Sequence, residues 1–237
     1  GLPTDDTNLV VRAARLLAGT CGTGNLGAEI RVHKRIPVAG GMAGGSADAA
    51  ATLVACNQLW GTSLDTGQLH AVAARLGADV PFLLHGGTAV GTGRGEKLRP
   101  VPVRGSFQWV LALSHHGLST PAVFREFDRI SPPQPTGIDS GLLEALADGD
   151  ARRVGALLRN DLQRAAFNLQ PELADVLAMG REAGATGALV SGSGPTIAFL
   201  AGTKAVADAI SDRLVLSSRV RAVRRAHGPV PGARIVN

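Results

Sequence analysis

The stretch that decides the fold is "PVAGGMAGGSADAAAT", residues 37–52, in which glycine and alanine surround one serine and one aspartate. The segment before it, residues 27–38, is rich in β-branched residues and partly alternating, which predicts a strand. The segment after it repeats small and apolar residues near helical spacing, which predicts a helix from near Ser46 to Gly61. The order is therefore strand, glycine-rich turn and helix.

A glycine-rich turn at a helix start suits an anion. Glycine permits positive φ and leaves no side chain between the backbone amides and a ligand. The first helical N–H groups have no intrahelical partner, and the helix dipole favours negative charge there. The stretch has neither the lysine of G-x-x-x-x-G-K-[ST] nor the spacing of G-x-G-x-x-G. On the residues alone, a phosphate-binding loop and a plain structural turn both stay open.

Two further features could carry chemistry. Asp79 follows the predicted end of a helix and precedes the apolar run "VPFLL", so it could act as a general base or merely form a cap or turn. The segment "SGSGPT", residues 191–196, could present backbone amides to an anion or simply connect two strands of a hairpin. His85 is placed on an apolar strand, where a structural role is expected. His115 and His116 have no metal-ligand partner at helical or hairpin spacing.

The rest of the chain mixes helices and strands without strict alternation, which favours an α+β fold over a doubly wound parallel sheet. The first helix is expected to follow a cap at Asp5, Asp6 or Thr7, and "SPPQPTG", residues 131–137, is expected to be an exposed loop. Predicted helices cover residues 66–76, 142–147, 151–159, 171–183 and 204–215, and another is expected to begin at Pro121 after a cap at Ser119 or Thr120. Predicted β segments cover 88–101, 107–114, the pair in 187–202, and 218–226.

Composition narrows the class of protein. The chain has 237 residues, 45% hydrophobic and 18% charged, which is typical of a globular protein and not of disorder. The net charge of +5 could attract nucleic acid, acidic lipid or phosphorylated small molecules, but no aromatic residues interleave the basic segment 219–234, which disfavours nucleic acid. The sequence has no apolar run long enough to span a membrane and no recognisable signal peptide. Its two cysteines lie outside any C-x-x-C pattern, which favours a reduced, cytoplasmic setting.

Together these blocks resemble a known family. "PVAGGMAGGSADAAATL" resembles the P-x-x-x-G-L-G-S-S-A-A signature of the GHMP kinases, and "SGSGPT" resembles their third glycine-rich motif. The further blocks "DTNLVVRAARLL", "LGADVPFLLHGGTAVGTGRGE", "LSTPAVF" and "NDLQRAAFNLQPEL" resemble the isoprenoid-pathway branch whose acceptor is a cytidine-diphosphate sugar alcohol. The resemblance runs from near Thr4 to about Arg234.

The resemblance implies an ATP-dependent kinase with an alcohol acceptor, with ATP and Mg²⁺ as cofactors and a small-molecule partner. It implies a two-lobed α+β fold: a ribosomal-protein-S5-like N-terminal lobe, here incomplete, over residues 1–102, and a ferredoxin-like C-terminal lobe over residues 103–237. Its alternatives are a GHMP kinase for another small alcohol, such as homoserine or mevalonate, and a non-catalytic nucleotide-binding fragment.

The resemblance also assigns site residues. Asp79 matches the catalytic aspartate, and Ser46 is the closest candidate for a Mg²⁺ ligand. Arg94 and Glu96 could line the cleft between the lobes. The ATP phosphates would lie over Pro37, Val38, Ala39, Gly40, Gly41, Met42, Ala43, Gly44, Gly45 and Ser46. A further set is assigned to the substrate cleft: Ser191, Gly192, Ser193, Gly194 and Thr196.

The sequence departs from the family signature at Met42, Ala43, Gly44 and Gly45, of which the last two stand where the general signature has serines and its cytidylyl branch has glycines. Met42 stands for the usual Leu, which is a mild change, whereas Ala43 stands for a Gly and restricts a backbone position that glycine would leave free. The family's strand bearing a Lys and an Asn, and its aromatic–His pair for cytidine, have no match here. We therefore expect a segment upstream of Gly1, and poor turnover by this chain alone.

Overall fold

The computed structural model describes residues 2–22, 26–130 and 137–236. Except for Gly137, the predicted loop at residues 131–137 lies outside the described residues. The chain divides into two compact units. The first unit holds Gly1–Arg35, Ala43–Val101 and Val230–Asn237; the second holds Ile36–Met42 and Pro102–Pro229.

The first unit is built mainly from helices around an apolar core. Leu17, Leu53 and Val80 are fully buried in that core, together with the small residues Ala49 and Ala50. The only sheet that the described residues form in this unit is a two-stranded antiparallel hairpin. Its elements are α1 (Leu9–Cys21), α2 (Gly44–Leu59), α3 (Thr66–Leu76), α4 (Val80–His85), β1 (Ala89–Thr92) and β2 (Lys97–Pro100).

Local signals explain most helix starts in this unit. Asp65 and Gln68 form a capping box, so α3 begins where the sequence predicts. The predicted cap of α1 is wrong: Asn8 caps the helix by accepting a hydrogen bond from Val10 N, whereas the Asp5 carboxylate accepts from Thr7 N at 2.9 Å in the turn before it. His85 ends the short helix α4 and does not lie on a strand.

The predicted strand at residues 27–38 is not formed. Exposure alternates along residues 31–36, as in an extended chain, but no described segment pairs with this one. The segment is held by side chains instead: Lys34 forms a half-buried ion pair with Asp48 of α2, and Trp60 Nε1 donates to Gly27 O at 3.0 Å. A strand requires a hydrogen-bonded neighbour, which residue patterning within one segment cannot supply.

The second unit contains a four-stranded antiparallel sheet of β3 (Phe107–Leu113), β4 (Gly187–Val190), β5 (Ile197–Ala201) and β6 (Ala222–Gly228), in the order β4-β5-β3-β6. This order, with helices between β3 and β4 and between β5 and β6, is the ferredoxin-like arrangement that the family resemblance implies. Helix α8 was not predicted. The elements are β3 (Phe107–Leu113), α5 (Thr120–Ile130), α6 (Ser140–Asp148), α7 (Ala151–Leu157), α8 (Gln163–Leu169), α9 (Glu172–Glu182), β4 (Gly187–Val190), β5 (Ile197–Ala201), α10 (Lys204–Val215) and β6 (Ala222–Gly228).

Both cysteines are free; Cys21 is half-buried and Cys56 is buried. Across the described ranges, none of the helices combines the length and the apolar character that crossing a bilayer requires.

His70 on α3 is a half-buried histidine packed edge-on to His85, with ring centroids 6.3 Å apart. Its Nε2 is buried and has no hydrogen-bond partner among the described residues. Burial and, secondly, the proximity of His85 lower the pKa of His70 below its usual 6.5. The fold therefore keeps His70 neutral at pH values where the unfolded chain takes up a proton.

We accordingly expect the free energy of unfolding to fall as pH drops below about 6.5, because the unfolded state then binds the proton more tightly. One such proton contributes a slope of at most about 1.4 kcal/mol per pH unit. Urea unfolding at several pH values should show a shallower slope for His70→Gln and an intermediate one for His85→Gln, which removes only the smaller cause. Equal slopes in wild type and His70→Gln would contradict this account.

Candidate active site

Helix α2 begins at Gly44, two residues before the predicted start near Ser46. Its N-cap residue is Ala43, which has φ 50° and ψ 31° in the left-handed region and makes no side-chain cap hydrogen bond. In the same unit, side-chain oxygens of Asn8 and Asp65 cap α1 and α3. The first-turn amides of α2 are thus left without a side-chain acceptor, which is the arrangement that favours an anion.

The strained conformation of Ala43 gives a prediction about stability. A non-glycine residue in the left-handed region costs on the order of 1–2 kcal/mol, and glycine relieves it while losing some entropy on folding. We expect Ala43→Gly to raise the free energy of unfolding by about 0.5–1 kcal/mol, measured by chemical denaturation. Ala47→Gly, inside the same helix, should instead lower it by about 1 kcal/mol. Similar losses in both variants would contradict this account.

The loop of residues 36–42 is fixed to the turn of residues 191–196 within the second unit. Ser191 Oγ donates to Gly41 O at 2.9 Å. Gly41 has φ 69°, and a Cβ placed on it would lie 2.5 Å from Gly194 O and closer still to Ser191 O. Only glycine fits there. The structure therefore brings together two glycine-rich motifs that lie 150 residues apart in the chain.

The turn of residues 191–196 is itself tightly bonded. The Ser193 hydroxyl lies 2.8 Å from that of Thr120, and Ser193 and Thr196 are buried. Asn160 Nδ2 donates to Val190 O and Gly192 O, both at 2.7 Å. Asn160 opens the block "NDLQRAAFNLQPEL" of the resemblance, but no local pattern in the sequence indicates this contact. These contacts fix the turn of residues 191–196, which in turn holds the loop of residues 36–42. The predicted contact of the turn with substrate stays a prediction.

Asp79 occupies the N-cap position of α4 without acting as a cap. Its backbone is αR, with φ −83° and ψ −19°, and its side chain makes no cap hydrogen bond. The residue is exposed. By contrast, the Asp65 carboxylate accepts from Gln68 N at 2.8 Å and is committed to the start of α3. The sequence left two roles open for Asp79, a helix cap and a general base. The structure shows that its carboxylate does not cap α4.

Ser46 is the third residue of α2 and is half-buried. The nearby carboxylate of Asp48 is engaged by Lys34. No group of three or more His, Cys, Asp or Glu side chains in the described part of the chain could hold a metal ion. A divalent ion at the start of α2 would thus need most of its ligands from elsewhere, as Mg²⁺ commonly takes them from water and substrate phosphates.

The hairpin turn between β1 and β2 contains Arg94 and Glu96. The Glu96 carboxylate accepts from Arg94 N at 2.8 Å. Its hydrogen bonds from its own backbone amide and from that of Arg94 lower the pKa of Glu96. The Glu96 carboxylate therefore has a structural role, because it accepts a hydrogen bond that closes this turn.

Comparison with known proteins gives a consistent result. The chain matches the GHMP kinases N terminal domain over residues 8–87 and the GHMP kinases C terminal domain over residues 142–217. It is 57% identical over 237 residues to the 4-diphosphocytidyl-2-C-methyl-D-erythritol kinase of Thermobifida fusca, covering 99% of this chain and 76% of the relative. It is 54% identical to the protein of the same name from Nocardia farcinica, covering 100% and 78%.

Solved structures agree with these sequence matches. A crystal structure of 4-(cytidine 5'-diphospho)-2C-methyl-D-erythritol kinase superposes with a TM-score of 0.79 at 34% identity, covering 96% of this chain and 80% of that one. A homoserine kinase from Cytophaga hutchinsonii superposes with a TM-score of 0.75 at 21% identity, covering 97% and 78%, and shows the shared fold.

Proposed function

The chain belongs to the GHMP kinase family, and we propose that it transfers the γ-phosphoryl group of ATP to the methylerythritol hydroxyl of 4-diphosphocytidyl-2-C-methyl-D-erythritol. This reaction is a step of the non-mevalonate isoprenoid pathway. The acceptor is taken from the relatives of that name, which match nearly the whole of this chain at more than half identity.

The observation that carries the proposal is the start of α2. Its N-cap, Ala43, has no side-chain oxygen, and the amides of Gly44, Gly45 and Ser46 open the helix. Such amides bind phosphate oxygens well, because the helix dipole and the unpaired N–H groups act together. Phosphoryl transfer depends mainly on positioning and on neutralising charge. An uncapped glycine-rich helix start supplies both for the phosphates of ATP.

Asp79 is the proposed catalytic residue. Its exposed carboxylate, free of capping, would accept the proton of the acceptor hydroxyl or orient that hydroxyl. The hydroxyl oxygen forms the new bond to the γ-phosphorus as the bond to the β–γ bridging oxygen breaks. The products are ADP and the phosphorylated acceptor, and the proton leaves through the carboxylate.

Mg²⁺ prefers oxygen ligands, and the start of α2 offers the hydroxyl oxygen of Ser46. The Ser46 hydroxyl is the residue that we propose as its protein ligand, since no cluster of three His, Cys, Asp or Glu side chains competes for it among the described residues. When bound with ATP, the ion neutralises charge on the phosphates.

The acceptor is tested by measuring ADP release from the full-length protein with ATP and each of three alcohols. We expect turnover with 4-diphosphocytidyl-2-C-methyl-D-erythritol and little above background with homoserine or mevalonate. Preference for either of the other alcohols would retain the kinase and overturn the substrate. ATP binding without ADP release from any acceptor would favour the non-catalytic alternative.

A further inference from the structure

A small cavity of about 90 Å³ lies in the second unit, beside the loop of residues 37–40. Its other walls are the end of β3 with residues 114–117, residues 195–196 of the turn before β5, and Arg221, which precedes β6. Sites for whole small molecules span about 300–1,000 Å³, so this cavity cannot enclose a nucleotide. It has room for about three water molecules, at about 30 Å³ each, or for one compact anion.

The ionisable side chains that line this cavity are all basic. His115, His116 and Arg221 line it, and no Asp or Glu does. A guanidinium has only N–H donors, in a fork that matches the oxygens of a phosphate. An imidazole ring donates an N–H whether it is neutral or charged. The cavity therefore offers donors and positive charge without a competing carboxylate.

Ser114 adds a donor whose direction is set by its neighbours. Its Oγ accepts a hydrogen bond from Gln170 Nε2 at 2.8 Å and another from His116 N at 3.2 Å. Gln170 is only 7% exposed, so this arrangement is held from inside the unit. Because a hydroxyl oxygen has two lone pairs and both are used, its O–H remains as the group that can bind a ligand.

We propose that this cavity binds one phosphate group, held by Arg221, His115, His116 and the Ser114 hydroxyl. The proposal rests on the proposed function and deepens it, because residues 37–40 and Thr196, which also line the cavity, belong to the sets assigned to the ATP phosphates and to the substrate cleft. The four residues named here belong to neither set. The phosphate group could come from free phosphate, from ATP or from a cytidine diphosphate moiety; the chemistry that recognises it is the same.

Binding is tested with inorganic phosphate at constant ionic strength, followed by NMR of the histidine ring protons. His115→Gln and His116→Gln assign the two signals among the six histidines of the chain. We expect both signals to shift saturably in wild type. We expect Arg221→Gln to weaken the dissociation constant about tenfold, as for the loss of one charge-assisted hydrogen bond, and Ser114→Ala to weaken it about fivefold.

The matched control is Arg224→Gln, which removes the same charge from β6 at a residue that does not line the cavity. It should leave the dissociation constant within about twofold of wild type. Histidine signals that ignore phosphate, or equal binding by Arg221→Gln and Arg224→Gln, would overturn the proposal. If Arg221→Gln fails to fold, Ser114→Ala carries the comparison, and wild-type affinity in that variant overturns it instead.

Competition identifies the source of the phosphate group. Displacement of phosphate by ATP supports a site for the donor nucleotide, and displacement by cytidine diphosphate supports a site for the acceptor. Displacement by neither supports a site for the free anion. Since phosphate binding is measured without catalysis, it can fail while the kinase reaction holds, and the reverse.

Discussion

Replacing Asp79 by Asn lowers kcat for ADP formation by about 10²- to 10⁴-fold, the range that a positioned general base contributes. Asn keeps the size and the backbone preferences of Asp but cannot take the proton of the acceptor hydroxyl. Because the Asp79 carboxylate makes no cap hydrogen bond, the change leaves α4 intact and the melting temperature nearly unchanged. The loss should therefore appear in turnover and not in stability.

Asp65→Asn is the matched control. Asp65 also precedes a helix of the first unit, but its carboxylate serves the capping box of α3. Asn caps helices about as well as Asp, so this variant should retain both stability and turnover. Near-normal kcat in Asp79→Asn would remove the residue from the catalytic role, and equal losses in both variants would point to damage to the fold.

Gly41→Ala is expected to have the largest effect outside the proposed catalytic carboxylate of Asp79. The new Cβ would meet the backbone oxygens of Ser191 and Gly194, which cannot rotate away as a side chain can. The positive φ of Gly41 adds strain to the clash. Together these should lower the free energy of unfolding by about 4 kcal/mol or force the loop off the turn.

Gly41 is three residues before Gly44, so a displaced loop also displaces the segment that leads into the start of α2. We therefore expect kcat/KM for ATP to fall on the order of 10²-fold. Gly105→Ala separates strain from collision, because Gly105 has φ 75° in the same unit but open space around a new Cβ. That variant should lose only about 1–2 kcal/mol and keep its activity. Equal effects of the two substitutions would show that the contact with Ser191 does not matter.

Local sequence signals were enough where an element depends on its own residues. The bounds of α3 and α10 are confirmed, because Asp65 and Thr203 cap them and their side-chain spacing is regular. The signal for α4 was present in Pro81, which favours a first helical turn, although the apolar run resembled a strand. Helix α8 was missed because Leu162 at its N-cap position makes no side-chain cap hydrogen bond, whereas Asp150 caps α7, a helix of the same length that was predicted.

Contacts between distant segments could not be predicted. The segment at residues 27–38 has the composition of a strand, yet whether it forms one depends on a partner elsewhere. In the site, the sequence did indicate the restriction at Ala43, which the structure places in the left-handed region. The hydrogen bond from Ser191 to Gly41 O joins residues 150 apart, and no local pattern predicts that pairing.

The central claim is that phosphate passes from ATP to an alcohol and not to water. Phosphorus NMR of a reaction mixture containing the full-length protein, Mg²⁺, ATP and 4-diphosphocytidyl-2-C-methyl-D-erythritol tests it most directly. The account predicts one new phosphomonoester signal that grows in step with ADP, and its loss in Asp79→Asn. Release of inorganic phosphate with no new ester signal, or an ester signal of undiminished rate in Asp79→Asn, would contradict it.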